Sequence, residues 1–333
     1  MSNINKKLKL LKAFKGIILG YPYMSHLWVT RKCNLRCKFC YLPTYGSEDP
    51  SLAMIKPRLD KIRELGCRIV VIMGGEPTLR SDLSDIIYEC KKRGLISYLV
   101  TNGVLLNQSS ADEYINAGLD IISMSLDDLG ASGIVNYPAS FDPADKLQLL
   151  SEMKKRILAF IAIVITKVNI YDSMRAINMA VEYGLPVTIT AMADCEYAGV
   201  YNPKNAGIKF ETTEDMKKLR RIFNLLKEFK NVSNIIDPDA YFERIIDNKP
   251  MQCLAGKQFF DIDTDGFINL CVLGGRTGVH YSQLTRENFK NKLDPYRIKT
   301  QKECLDHCTL AAYFNTTYYR KHPIELLKMV SKG

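Results

Sequence analysis

Between residues 27 and 191, short apolar runs rich in β-branched residues alternate with stretches whose apolar positions recur at helical spacing. The runs at 27–30, 68–73, 97–100, 121–124, 160–166 and 187–191 are predicted strands. They are continuous rather than alternating, the pattern of parallel strands buried on both faces. Predicted helices over 58–65, 83–93, 111–117 and 174–183 each stop at a glycine: Gly66, Gly94, Gly118 and Gly184. Pro143 after Asp142 opens another helix toward Lys155, since its fixed φ suits a first turn. Repeated βα units require a parallel sheet with right-handed crossovers. The expected fold class is therefore α/β, a partial (β/α)6 TIM-like barrel, with an open doubly wound sheet as competitor.

From Gly199 the rhythm changes. A helix is expected from Thr212 or Thr213 to Phe229, with Asp215 completing a capping box, and a short one over 240–246 after Pro238. Residues 259–263 and 267–271 flank Thr264-Asp265-Gly266, a hairpin signal. The organisation read from these patterns is an N-terminal segment 1–21, a barrel over 22–200, and a helical connection over 201–250. A small cysteine-rich module over 251–323 and a tail over 324–333 complete it.

Charge changes the picture at one end. Formal net charge is +10, from 46 Lys and Arg against 36 Asp and Glu. Lys6, Lys7, Lys9, Lys12 and Lys15 supply half of it, on a stretch where Leu8, Leu11 and Ile18 recur at helical spacing. A basic amphipathic helix either docks on the body with its lysines in water or lies on an anionic membrane surface as a peripheral contact. No nucleic-acid reader motif accompanies the charge, so nucleic acid is not an expected partner. The longest apolar run, 157–165, is half of what a transmembrane span needs, and no small-residue cleavage site follows 17–19. Ten cysteines without an export signal point to a cytoplasmic protein using metal or redox chemistry rather than disulfides. Apolar and charged fractions of 47% and 25% exclude disorder.

The cysteines carry the chemistry. Cys33, Cys37 and Cys40 stand just after the first strand, an arrangement expected by chance roughly 0.01 times in such a chain. Spacings of four and three wrap three thiolates around one centre and leave one iron of a [4Fe–4S] cluster without a protein ligand. A zinc site would want a fourth ligand nearby, and His26, before the strand, is badly placed for it.

The run Cys33-x3-Cys37-x-Phe39-Cys40 resembles the cluster motif of the radical S-adenosylmethionine (radical SAM) superfamily. The resemblance implies that S-adenosylmethionine chelates the open iron and is cleaved reductively to a 5′-deoxyadenosyl radical that abstracts hydrogen from substrate. Gly74-Gly75-Glu76-Pro77, after the second strand, matches the family's GGEP motif, which implies that backbone and Glu76 hold the methionine amino group and that the glycines let backbone approach the ligand. Thr101-Asn102-Gly103, Ser125, Asp127 and Asn169 end later strands, where the family places ribose and carboxylate contacts. Phe39 is expected near the adenine. All these groups fall at the C-terminal strand ends, where βα barrels carry their active sites. A reductant such as flavodoxin or ferredoxin is the implied electron partner.

Cys253-x12-Gly266-x4-Cys271, followed by Cys304 and Cys308, resembles the SPASM/twitch extensions of radical SAM enzymes. That implies a second, auxiliary [4Fe–4S] cluster held by these four cysteines. The last pair is spaced three rather than the commoner two and encloses His307, and zinc on four thiolates is the competing reading. An auxiliary cluster fully ligated by protein could take the electron left on a substrate radical, return one, or tune potential.

Cys67 and Cys90 read as core thiols. Cys195 follows the sixth strand at the catalytic face, beside Glu196 and Tyr197; a thiol there could return hydrogen to a substrate radical, against the plainer reading of loop placement. The expected activity is hydrogen abstraction leading to oxidation, epimerisation or coupling. A small molecule or lipid precursor is slightly favoured as substrate by the basic start and by the basic aromatic stretch 313–323. Ribosomal peptide maturation is the alternative, disfavoured by the 32 residues before Cys33, too few for a leader-binding domain. A non-catalytic iron–sulfur electron carrier is the reading from another class, and a carrier needs no S-adenosylmethionine pocket.

Overall fold

The computed structural model describes residues 22–40, 48–192, 207–230, 232–249, 253–272, 275–304, 308–322 and 324–325. The N-terminal basic segment and Cys195 with its neighbours lie outside them. Six parallel strands follow one another across the sheet: β1 (Met24–Thr30), β2 (Ile69–Gly74), β3 (Ile96–Thr101), β4 (Ile121–Ser125), β5 (Leu158–Ile165) and β6 (Val187–Ala191). Helices α1 (Leu52–Glu64), α2 (Leu83–Lys92), α3 (Gln108–Ala117), α4 (Pro143–Lys154) and α5 (Ile170–Glu182) make the crossovers. The βα alternation and partial barrel expected from the sequence are present.

One expectation changes. The strands are not uniformly buried on both faces. On β5, Ala159, Ile161, Ile163 and Ile165 are buried, whereas Leu158, Phe160, Ala162 and Val164 are only half-buried. Register carries the half-buried face across the sheet, pairing Ser125 with Ala162 and Val164 with Thr190. An incomplete barrel has no complete ring of side chains to fill its interior, so this inner face stays reachable while the outer face packs on helices.

The helix ends are local chemistry. Ser51 caps α1 six residues before the expected start, and Pro57 sits inside the helix. The extra turn buries Ile55 on the stripe of Leu59 and Ile62, which offsets the hydrogen bond that proline forfeits. Asn107 and Ser110 form a capping box that starts α3 three residues early. Helix α6 (Thr213–Phe229) carries the Thr212–Asp215 box as expected, and α7 (Asp239–Asp247) follows Pro238.

The hairpin of β7 (Phe259–Ile262) and β8 (Phe267–Asn269) forms where the turn signal lies. It does not stand apart: β7 pairs in parallel with β1, from Met24–Phe259 to Leu27–Ile262, and β9 (Arg276–His280) adds a third strand. Among the described residues one sheet thus runs β6-β5-β4-β3-β2-β1-β7-β8-β9. His26 Nδ1 and Asp261 Oδ1 lie 2.7 Å apart across the β1–β7 seam, so His26 serves the fold. Helix α8 (Phe289–Cys304) follows, and α9 (Ala311–Lys321) packs Phe314 on Tyr241. Cys67 and Cys90 are fully buried, and that burial pushes the Cys90 thiol up to about 12. Among the described residues no helix is long and apolar enough to cross a membrane.

Candidate functional site

The site grows from the segment that leaves β1. Residues 30–32 lie against the chain leaving β2: Gly75 N–H donates to Thr30 O at 2.8 Å and Glu76 N–H to Lys32 O at 2.7 Å. A Cβ on Gly74 would stand 2.1 Å from Thr30 O, and one on Gly75 2.0 Å from Lys32 O. The two glycines are therefore needed for backbone to pass backbone at the entry to Cys33. The close approach read as serving a ligand serves this seam first.

Cys33, Cys37 and Cys40 follow on one loop, all half-buried. Leu35 N–H points to Cys33 Sγ at 3.4 Å, and Asn102 Nδ2 lies 3.9 Å from the same sulfur. Arg36 donates to the carbonyls of Cys33 and Leu35 at 2.8 and 2.9 Å, bracing the turn. Asn102 also donates to Asn34 Oδ1 at 2.8 Å, which ties the end of β3 to the cysteine loop. Burial pushes the Cys33 and Cys37 thiols up, with Glu76 opposing ionisation at Cys33 and Asp127 at Cys37. Left alone these thiols keep their protons; thiolates here require a bound cationic centre.

Among the described residues no three cysteine, histidine or carboxylate groups form the ligand set of a single metal ion. A four-iron cluster is larger than one ion and spreads its thiolates farther apart. An all-sulfur donor set, N–H groups directed at sulfur and thiols that burial disfavours as free anions together fit such a cluster.

Glu76 is buried beneath the loop. Its Oε1 accepts from Thr78 Oγ1 at 2.6 Å, Thr78 N–H at 3.1 Å and Thr101 Oγ1 at 2.7 Å; its Oε2 accepts from Asn102 N–H at 2.7 Å. Desolvation pushes this carboxyl up and those four donors pull it down. Oε2 retains one acceptor direction by valence, enough for one ammonium hydrogen. Pro77 supplies the first position of the 3₁₀ turn that Glu76 caps.

At the ends of β4 and β5 the polar groups hold one another. Asn169 spends its whole amide: Oδ1 accepts from Thr166 N–H and Oγ1 at 2.7 and 2.9 Å, and Nδ2 donates to Asp127 O and Val164 O, both at 2.8 Å. In this arrangement it positions Asp127 and has no hydrogen-bonding capacity to spare. Asp127 Oδ1 accepts from Val164 N–H at 2.6 Å. Ser125 is half-buried, and its carbonyl lies 3.3 Å from Tyr137 Oη. Phe39 joins an apolar patch of Leu35, Ile134, Val135 and Ile208 that covers the cysteine loop, together with Tyr137 and Met192.

Thr78 and Arg36 had no sequence signal beyond lying beside motif residues, and Tyr137 had none. Tyr137 sits on a loop ten residues from any motif, held by Asp128, whose carboxylate takes Gly130 N–H and Val135 N–H at 2.7 and 2.9 Å. Lys38 N–H then bonds Ile134 O at 2.9 Å, so this loop closes over the cysteines.

Burial pushes Asp127 up to about 7, with the Val164 hydrogen bond pulling the other way. A carboxyl raised this far keeps a proton that the unfolded chain releases near pH 4, so its contribution is complete below about pH 4 and is lost as pH rises toward 7. Urea unfolding of metal-free protein is expected to lose a few kcal/mol of stability across that window, and Asp127→Asn to remove this decline. The same decline in both proteins would contradict the assignment.

In the C-terminal part, Cys253 precedes the hairpin and Cys271 follows it, so the antiparallel pair carries both to one end. Ala255 N–H points to Cys253 Sγ at 3.4 Å, the same two-residue contact as at Cys33. Cys308 is buried, its carbonyl 3.2 Å from Arg244 Nη2. Tyr241 Oη donates to Thr309 O at 2.6 Å and Thr309 Oγ1 to Ala191 O at 2.9 Å, fastening the Cys308 segment to the end of β6. Cys304 ends α8, and its side chain, like His307, lies outside the description.

Residues 28–194 match the family described as the radical SAM superfamily. The chain is 26% identical over 263 residues to a PqqA peptide cyclase of Bradyrhizobium diazoefficiens, spanning 76% of this chain and 67% of that one. Two other curated relatives are matched over only 35% and 26% of their own lengths. Streptococcus suis SuiB bound to precursor peptide SuiA superposes with a TM-score of 0.61 at 18% identity, over 85% of this chain and 68% of that one. The protein anSMEcpe, with AdoMet and the Cp18Cys peptide bound, gives 0.61 at 17% identity, over 93% and 99%.

Proposed function

This chain belongs to the radical SAM superfamily and is an enzyme that uses a [4Fe–4S] cluster with S-adenosylmethionine, and on that premise we propose that it modifies a peptide. The observation that carries this is the extent of the likeness to PqqA peptide cyclase. An alignment of 263 residues is longer than the 194 residues that end the family match, so it continues into the C-terminal part. Two proteins of the same fold hold peptides. This support outweighs the slight lean of the charge pattern toward a small molecule or lipid precursor.

Cys33, Cys37 and Cys40 would hold the cluster and leave one iron open. When bound, cluster and S-adenosylmethionine supply a 5′-deoxyadenosyl radical for hydrogen abstraction. Glu76 would direct its remaining acceptor to the methionine ammonium, on a backbone set by Gly74, Gly75 and Pro77. Asn102 holds the cysteine loop against β3. Asp127 and Ser125 would meet the ribose or carboxylate, with Asn169 fixing Asp127, and Phe39 with its apolar patch would exclude water around the adenine. Cys253, Cys271, Cys304 and Cys308 would hold the auxiliary cluster and give the substrate electron a place to go, turning abstraction into a two-electron oxidation.

Anaerobically reconstituted enzyme with S-adenosylmethionine, dithionite and short peptides encoded beside its gene tests the reading by mass spectrometry. The expected result is 5′-deoxyadenosine together with a peptide lighter by two hydrogens. If 5′-deoxyadenosine formation is stimulated by small-molecule or lipid fractions and by no peptide, the peptide reading fails.

A further inference from the structure

We propose that Arg31 and the hairpin turn at residues 263–265 form a clasp that sets the position of the 33–40 cysteine loop relative to the C-terminal module, making Arg31 a positioning residue for the cluster. The inference rests on the reading that Cys33, Cys37 and Cys40 hold that cluster.

The register of β1 and β7 ends at Leu27–Ile262. Beyond it β1 runs on to Thr30 while the other chain turns, and Arg31, two residues before Cys33, reaches across to that turn. Its Nη2 donates to Asp265 Oδ2 at 3.3 Å and lies 4.0 Å from Asp263 Oδ2. On the opposite side, residues 30–32 are pinned by the backbone bonds from Gly75 and Glu76. The approach to Cys33 is thus gripped between the β2 exit and the hairpin turn.

The turn is itself immobilised, as a clasp requires. Arg58 on α1, 2% exposed, donates to Asp263 O and Thr264 O, each at 3.0 Å. Asp263 is buried; its Oδ1 accepts from Asp265 N–H at 3.0 Å and Phe267 N–H at 2.9 Å. Its Oδ2 accepts from Arg276 Nε at 2.8 Å, and Arg276 also bonds Asp265. Two carboxylates therefore bind two guanidiniums, one from the cysteine loop and one from β9, while a third arginine holds the turn's carbonyls. Removing Asp265 would leave Arg31 and Arg276 facing a single carboxylate, which favours release of the more weakly held one, Arg31. Because ligand orientation and sulfur hydrogen bonds tune a cluster, a shift of this loop is read out at the iron.

Two variants with opposite charge changes separate positioning from simple electrostatics. Full-length Arg31→Met and Asp265→Asn would be reconstituted anaerobically beside wild type and Arg31→Lys. The electron paramagnetic resonance (EPR) spectrum of the reduced cluster would be followed as S-adenosylmethionine is added, together with the cluster's reduction potential. Both variants are expected to keep their iron, to blunt the S-adenosylmethionine-induced spectral change in the same sense, and to need about tenfold more of it for half effect. Arg31→Lys, with charge but no fork, is expected to fall between. Opposite shifts in potential with an unchanged response to S-adenosylmethionine would overturn the clasp, as would variants that match wild type throughout. A wild type that holds no iron overturns the cluster reading and this inference together, and is thereby distinguished from silent variants.

Discussion

Replacing Cys37 by Ala is expected to remove about four irons per chain and to reduce S-adenosylmethionine cleavage to background. The reason is ligand count. Three thiolates on one short loop can close three corners of a cluster; two leave half its irons to solvent or stray thiols, and the assembly is lost. The Cys37 thiol is itself pushed up by burial and by Asp127, so the folded loop holds this group as a thiolate only while iron is present. Iron and sulfide counts with a chromatographic assay for 5′-deoxyadenosine check both halves of the expectation. Cys90→Ala is the control. That thiol lies in the core, buried completely, and its loss is expected to cost about 1–2 kcal/mol of stability with iron content unchanged. Equal iron in Cys37→Ala and wild type would remove Cys37 from the ligand set.

Gly75→Ala is the second large effect, and no cysteine is touched. The added methyl would stand 2.0 Å from Lys32 O and 2.8 Å from Arg31 O. Both are backbone atoms, so no rotamer change relieves the contact, and residues 30–32 must move. With them goes the hydrogen bond from Glu76 N–H to Lys32 O, and the entry to Cys33 is displaced. Stability of the metal-free protein is expected to fall by about 3 kcal/mol or more in urea unfolding, with iron uptake reduced although all three thiols remain. Gly94→Ala separates strain from contact. Gly94, unlike Gly75, has positive φ, at 65°, but nothing lies within 4 Å of an added Cβ, so the cost there is expected near 1 kcal/mol with iron unaffected. Matching losses at the two glycines would show that the seam with residues 30–32 is not the constraint.

The two sets of results would also separate what kinds of residue were visible in the chain. The ligand candidates were visible because three identical soft donors at short spacing need no tertiary context to be recognised. The strands, too, lie within a few residues of their expected positions, since apolar runs bounded by glycine-closed helices are local signals. The errors fell where a distant contact outvoted a local one. The helix expected over 58–65 starts at Leu52 instead, because burial of Ile55 with Leu59 and Ile62 carries it through Pro57. Continuous apolar strands argued for burial on both faces, but β5 keeps its inner residues half-buried because the barrel does not close around them.

By itself, then, the sequence determined the βα order, the cysteine loop after β1 and the Glu76 motif after β2, because each is written in neighbouring residues. Only the tertiary structure decided what those residues touch. Glu76 finds Thr101 and Asn102 at the end of β3, His26 finds Asp261 235 positions away, and Arg31 finds Asp265 across a seam that the hairpin makes by joining β1. Such pairings follow from strand register and sheet order, and register is set by the collective burial of whole strands rather than by either partner's local signal.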